Sequence, residues 1–324
     1  MKRRLSPDEI NRIAADPAHR TRTDLVPVID PTRPFVPEEW TQLWYTDVYA
    51  SLHREHRLRY NQLFGIRVNE YVMMLESDLI ERIWPPLRRH PAVRDDASLV
   101  RALDEMIAEE RRHHAAFARL NRICRPDLFP EGRDRFFSAL PVWGEAMFRF
   151  TGLVAGSLAF GLWYQMALEE SAQALARAMV HAPETATLGP LDPGFVSIHR
   201  EHMKDEARHL HVDAHLIERT VDAAPRWRRR LDARLFRAML VGVVRPTRAG
   251  AGVKVIRQLV RDMPELGDRE EEMIRAVLAL GRDRRYQESL FNRRIMPATF
   301  AVFDRTEDLD RLGERMLGYD RRPP

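Results

Sequence analysis

The chain has 324 residues, 44% hydrophobic and 31% charged, with 21 prolines, 15 glycines and one cysteine. This length and balance suit one large folded unit or two modest ones, and exclude a collagen-like, wholly disordered or disulfide-built chain. The net charge is only +4, its 52 basic residues lying dispersed among 48 acidic ones, so no nucleic-acid partner is expected.

In chain order, residues 1–36 are polar and interrupted by Pro27, Pro31 and Pro34, which predicts a poorly ordered lead-in. The basic start has no apolar run behind it, so no secretory signal is expected. Residues 37–324 read as a single helical domain, with a bundle over about 55–222 and accessory helices over about 226–295. Helical periodicity predicts helices near 37–51, 55–84, 97–122, 142–181, 193–222, 226–243, 250–262, 269–281 and 284–295, with prolines between them or at their first residues. No stretch alternates like a strand, so the class is all-α. The four long helices (55–84, 97–122, 142–181 and 193–222) outline a four-helix bundle.

Residues 150–168 contain no charged side chain and are long enough to cross a bilayer. Gly152, Gly156, Ser157, Gly161 and Gln165 interrupt the run and Glu169-Glu170 follows it, which predicts a buried bundle helix and no membrane span. Arg228-Arg229-Arg230 reads as a solvated helix face. Cys124, alone, reads as a packing residue and rules out any cysteine-built metal site. One cysteine suits a reducing cytoplasm, the expected location.

Each long helix carries a glutamate where its apolar stripe runs. On the first, Glu76 has Val72, Met73, Leu79, Ile80 and Ile83 as helical neighbours, and Glu70, beside Arg67, is the weaker inward candidate. On the second, Glu110 and His113 share a face with Leu103, Met106, Ile107 and Phe117, while Glu109 reads as outward-facing. On the third, either Glu169 or Glu170 serves. Glu169 is preferred because Leu162, Met166, Ala172 and Ala176 bracket it. On the fourth, His202, Glu206 and His209 fall within a wedge of about 60°.

A lone E-x-x-H carries little information. The order of an inward Glu, E-x-x-H, an inward Glu and E-x-x-H, one per long helix, is the arrangement by which bundles hold two metal ions. Glu76, Glu110, Glu169 and Glu206 would neutralise two divalent ions, whereas four buried unpaired anions would be prohibitively costly. Carboxylate and imidazole without thiolate suit iron or manganese. Asp205 is placed to accept a hydrogen bond from a ligand histidine. His114, His199, His211 and His215 read as surface or satisfied histidines, and Phe160, Trp163 and Tyr164 as core.

The sequence resembles the ferritin-like di-iron carboxylate proteins, and more narrowly the p-aminobenzoate N-oxygenase family. The resemblance rests on V-N-E-Y-V-M-M-L-E around Glu76, E-E-R-R-H-H around Glu110 and His113, L-E-E-S-A-Q-A around Glu169, and H-M-K-D-E-A-R-H, whose first histidine, His202, supplies the third imidazole typical of the family. It spans roughly residues 65–215. It implies a non-haem di-iron oxygenase with two irons held by Glu76, Glu110, His113, Glu169, His202, Glu206 and His209, O2 as co-substrate and an external electron donor. The implied reaction takes a small-molecule amine through hydroxylamine and nitroso stages toward nitro. Hydroxylation or desaturation at carbon by the same centre, and iron storage or peroxide scavenging, are the competing functions. The accessory helices are candidates for a pocket lid or a homodimer interface.

Overall fold

The structure, a computed structural model, describes residues 3–22, 25–138 and 142–322; the side chains of 78, 79, 142–144, 147, 148 and 241–243 also lie outside the description. Fourteen α-helices are described: α1 (Pro7–Ala15), α2 (Asp47–Ser51), α3 (Arg54–Asp78), α4 (Trp84–Arg88), α5 (Pro91–Arg94), α6 (Ala97–Cys124), α7 (Val142–Val154), α8 (Gly161–His181), α9 (Pro193–Ile217), α10 (Arg226–Val244), α11 (Ala251–Asp262), α12 (Glu270–Ala279), α13 (Arg284–Leu290) and α14 (Pro297–Arg305). Among the described residues the only β pairing is an isolated bridge between Glu184 and Pro190, so the chain is all-α, as expected.

The bundle is formed by α3 against α6 and α8 against α9, with α6 also packed on α9; α11 lies on α3 and α14 on α8. Helix starts follow local chemistry. Asp96 accepts a hydrogen bond from the Leu99 amide (3.0 Å) at the head of α6. Asp192 does the same for Phe195 (2.6 Å) at the head of α9, where Pro193 occupies the first turn. Such caps contribute about 1 kcal/mol each.

Two apolar cores fill the bundle, one containing Leu103, Met106, Leu162, Met166 and Leu210, the other Phe117, Leu120, Leu175, Met179 and Ile198. On α6, α8 and α9 alike, the residues between these two sets are the acids and histidines singled out by the sequence. The apolar stripes therefore fix where the polar side chains converge, at the waist between the cores.

Several boundaries depart from the sequence reading. The lead-in is not featureless. Ser6 caps α1, with Ser6 and Glu9 forming a reciprocal capping box and Pro7 in the first turn, and α1 packs on α6 and α9. Residues 37–51 form two 3₁₀ turns (Glu38–Trp40 and Leu43–Tyr45) and the short α2, because the Thr41 and Thr46 hydroxyls bond the Glu38 and Leu43 carbonyls and end each turn locally.

The helix expected over 142–181 is broken at residues 155–160, where Gly156 and Ser157 give little helical preference. The uncharged run is thus divided between α7 and α8, and among the described residues no helix is long and apolar enough to cross a membrane. Both α3 and α9 widen into π turns, Leu79–Ile83 and Glu218–Asp222, at their C-terminal ends. Finally, α13 stops at Leu290 and α14, opened by Pro297, was not anticipated.

Candidate metal centre

All seven residues singled out as ligands meet at the waist of the bundle. Glu76 of α3, His113 of α6 and His202 of α9 form one group, and Glu110 of α6, Glu169 of α8, Glu206 and His209 of α9 form a second; within each, one ligand-type atom per residue lies within 4.8 Å of the others. The groups interlock. His202 Nε2 is 2.8 Å from Glu206 Oε1 and 3.4 Å from Glu76 Oε1, His113 Nδ1 is 3.1 Å from Glu110 Oε2, and His209 Nδ1 is 3.2 Å from Glu110 Oε1.

These side chains are almost wholly buried, yet both Glu76 oxygens, both Glu206 oxygens, Glu110 Oε1, His202 Nε2 and His209 Nδ1 have no hydrogen-bond partner. Orphaned, inward-facing oxygen and nitrogen atoms from three helices, facing Glu169 of the fourth, are what a pair of cations would satisfy, and the donor set fits iron.

Within the protein alone, burial and the neighbouring charges set which of these groups hold a proton. Burial, and then the Glu110 charge, push Glu76 up to about 7. Burial together with Glu206 and Glu110 raises Glu169 well above the carboxylate range. Burial opposes a charge on His202, but Glu206 and Glu76 outweigh it and lift that imidazole to about 10.

A frame of charged residues surrounds the cluster. His113 turns its other nitrogen, Nε2, to Asp205 Oδ2 (3.0 Å), and His209 turns Nε2 to Glu109 Oε2 (3.0 Å). Each acid therefore steadies the histidine of the opposite helix. The guanidinium of Arg208 bridges the pair, donating to Asp205 Oδ1 at 2.6 Å and to Glu109. The sequence placed Asp205 in this role but read Glu109 as outward-facing; Glu109 is 2% exposed. Its neighbours Glu105 and Arg112 concealed that, because the sequence gives no sight of Arg208 arriving from α9.

Glu170 is separated from its neighbour in both place and role. It accepts hydrogen bonds from the amides of Ala298 (2.9 Å) and Thr299 (2.7 Å) at the start of α14. Glu70, also buried, accepts from the Phe137 and Ser138 amides and anchors the loop after α6. His199 rests against Phe117 and Phe195, with Nε2 3.0 Å from Asn69 Oδ1; burial and the His202 charge hold it neutral, down to about 3. His211 and His215 hold the backbone of Leu5, and His114 is half-buried. Trp163 packs on Phe236 in the core. The Cys124 thiol is half-buried, and burial pushes it up to about 12.

A cavity of about 250 Å³ reaches the cluster through Glu76, Glu169 and His202. Its wall is largely apolar, with Phe64, Val72, Leu75, Leu168 and Leu175, and it includes Arg67. The Arg67 guanidinium lies between the rings of Phe64 and Tyr71, 5.2 and 5.3 Å from their centroids. Its buried Nε has no hydrogen-bond partner. Tyr71 and Tyr164, joined hydroxyl to hydroxyl, sit nearby.

A helical bundle with two E-x-x-H helices and two further glutamates turned to a common centre defines the ferritin-like di-iron class. Within that class the chain belongs to the p-aminobenzoate N-oxygenase family, whose model (P-aminobenzoate N-oxygenase AurF) matches residues 18–279. It is accordingly a non-haem di-iron oxygenase, an oxidoreductase whose family uses two irons and O2, and the Glu/His groups fit a metal site. Comparison with curated proteins gave no match.

Proposed function

We propose that the chain oxidises the nitrogen of an amine, using O2, external electrons and two irons held by Glu76, Glu110, His113, Glu169, His202, Glu206 and His209. The observation that carries this reading is the set of orphaned carboxylate and imidazole atoms, reached through Glu76, Glu169 and His202 from a mostly apolar cavity. The two irons would supply electrons to O2 and the place where it binds.

The protein's own part is positional. Glu109 and Asp205 hold the Nε2 atoms of His209 and His113, so each Nδ1 faces the centre. Phe64, Val72, Leu75, Leu168 and Leu175 exclude water and favour a flat apolar body. Arg67 supports a substrate bearing an anionic group away from its amine, because a guanidinium with no carboxylate partner among the described residues, on an apolar wall, is a ready anion site. The amine end then lies toward Glu76, Glu169 and His202.

The test is to count iron per chain and expose the reduced protein to O2 with p-aminobenzoate or with aniline. Consumption of p-aminobenzoate in preference to aniline, giving hydroxylamino or nitro products, is the expected result. A carbon-hydroxylated product would replace this reading by the hydroxylase one, and mineralised iron with no effect of either amine would replace it by storage.

A further inference from the structure

The N-terminal segment that precedes the bundle reaches the outer frame of the metal centre. The Thr21 hydroxyl, on a residue 8% exposed, donates to Asp205 Oδ2 and lies 3.1 Å from the Glu201 carbonyl oxygen. That same Oδ2 meets His113 Nε2. Around it, the Arg22 amide donates to Glu201 Oε2 (3.0 Å), Arg208 donates to the His19 carbonyl (3.3 Å), and Leu5 is held by His211 and His215. The segment thus runs as a strap over α6 and α9, fastened at Leu5 and again at residues 19–22.

We infer that Thr21 is a positioning residue for the metal centre, acting through Asp205 on His113; this rests on the function proposed above. Asp205 has two oxygens and three donors: Arg208 takes Oδ1, while His113 and Thr21 share Oδ2. Without the hydroxyl, Oδ2 keeps only the imidazole, and the carboxylate is free to rotate about its remaining contacts. The His113 ring loses its fixed aim with it. Glu109, the counterpart that holds His209, is tied by Arg208 and, among the described residues, takes no hydrogen bond from the strap directly. The effect of Thr21 therefore falls first on His113 and its Glu76–His113–His202 group, and reaches the Glu110–Glu169–Glu206–His209 group only through contacts of His113 such as that of its Nδ1 with Glu110 Oε2 (3.1 Å).

The test follows iron release from the reduced, loaded full-length protein into excess ferrous chelator. For Thr21→Val, a near-isosteric change, one of the two irons should leave about tenfold faster than in the unaltered protein, with the second much less affected. Thr21→Ser should restore slow release of both. Ser6→Ala, which loosens the strap at its capping box without touching Asp205, serves as the control. Equal rates in Thr21→Val and the unaltered protein, or equal acceleration of both irons, would overturn the inference, as would the same one-iron effect in Ser6→Ala. Thr21→Ala, judged by the same criteria, takes the place of the valine variant if that fails to fold. An unaltered protein that binds no iron would instead overturn the function proposed above, and this inference with it.

Discussion

Glu109 and His209, a hundred residues apart, meet at 3.0 Å through Oε2 and Nε2, so a carboxylate of α6 sets the aim of an imidazole of α9. Neutralising this acid should therefore weaken the metal centre without removing any inward-facing atom. Glu109→Gln keeps an acceptor but loses the charge, and Glu109→Ala loses both. Iron affinity, measured by chelator competition, should fall by roughly 10–100-fold in the alanine variant and less in the glutamine one. Equal affinity in all three proteins would show that the contact is incidental.

Arg208 is the shared partner of Glu109 and Asp205, and is itself 4% exposed. Replacing it with Met removes the cation the two acids share, leaving Glu109 only the more distant Arg112 (3.8 Å), a loss of about 3–5 kcal/mol. Chemical denaturation of the iron-free protein should report that loss, and Arg208→Lys should recover part of it.

Glu169 and Glu170 are adjacent in sequence but distinct in task. Glu170→Ala removes the acceptor for two amides at the start of α14 and should lower stability by about 1–2 kcal/mol, with two irons per chain retained. Glu169→Ala should do the reverse, reducing iron content with little loss of stability. Iron analysis and thermal melting of the two variants, side by side, give the answer.

Metal uptake should release protons. His202, lifted to about 10, carries a proton at neutral pH, and Glu76, pushed up to about 7, is roughly half protonated there. A bound cation must displace both, so affinity should rise with pH. Adding ferrous iron to the anaerobic apo-protein in weak buffer at pH 7 should acidify the solution by at least one proton per chain, and no pH change would contradict the assignment.

Asp232 gives a pH test remote from the metal. Its Oδ1 accepts from the Phe160 amide, and burial raises it to about 6 despite that bond. The folded form holds the proton more tightly than the unfolded chain, where an aspartate titrates near 4. The penalty is therefore absent below pH 4, grows between 4 and 6, and is complete above 6. Relative to Asp232→Asn, the unaltered protein should lose melting temperature across that interval and run parallel to it outside.

The sequence was most legible where one residue type meets a sharp physical constraint. A carboxylate on an apolar stripe costs too much to be accidental, and so Glu76, Glu110 and the preference for Glu169 over Glu170 came from helical neighbours, and Glu206 from its spacing with His202 and His209, as did the all-α bundle that gathers them from helical periodicity. What could not be read depended on partners distant along the chain. Glu109 was misread because Arg208 comes from another helix, and the task of Glu170, passed over in favour of Glu169, was out of sight because α14 begins more than a hundred residues later. The break at 155–160 was hidden because glycine and serine only weaken a helix; the tight approach of α7 to its neighbour, where a Cβ on Gly152 would come within 2.7 Å of the Arg82 side chain, has no signature in local periodicity. The Arg67 guanidinium, likewise, became notable only once Glu70 was seen to turn away to the Phe137 and Ser138 amides.

The single sulfhydryl of Cys124, kept un-ionised by its surroundings, bears on durability. Thiolates, not thiols, are the species that react with hydrogen peroxide. Any peroxide formed beside this oxygenase thus meets no readily attacked cysteine sulfur, and crosslinking of one copy to another through that sulfur is not expected.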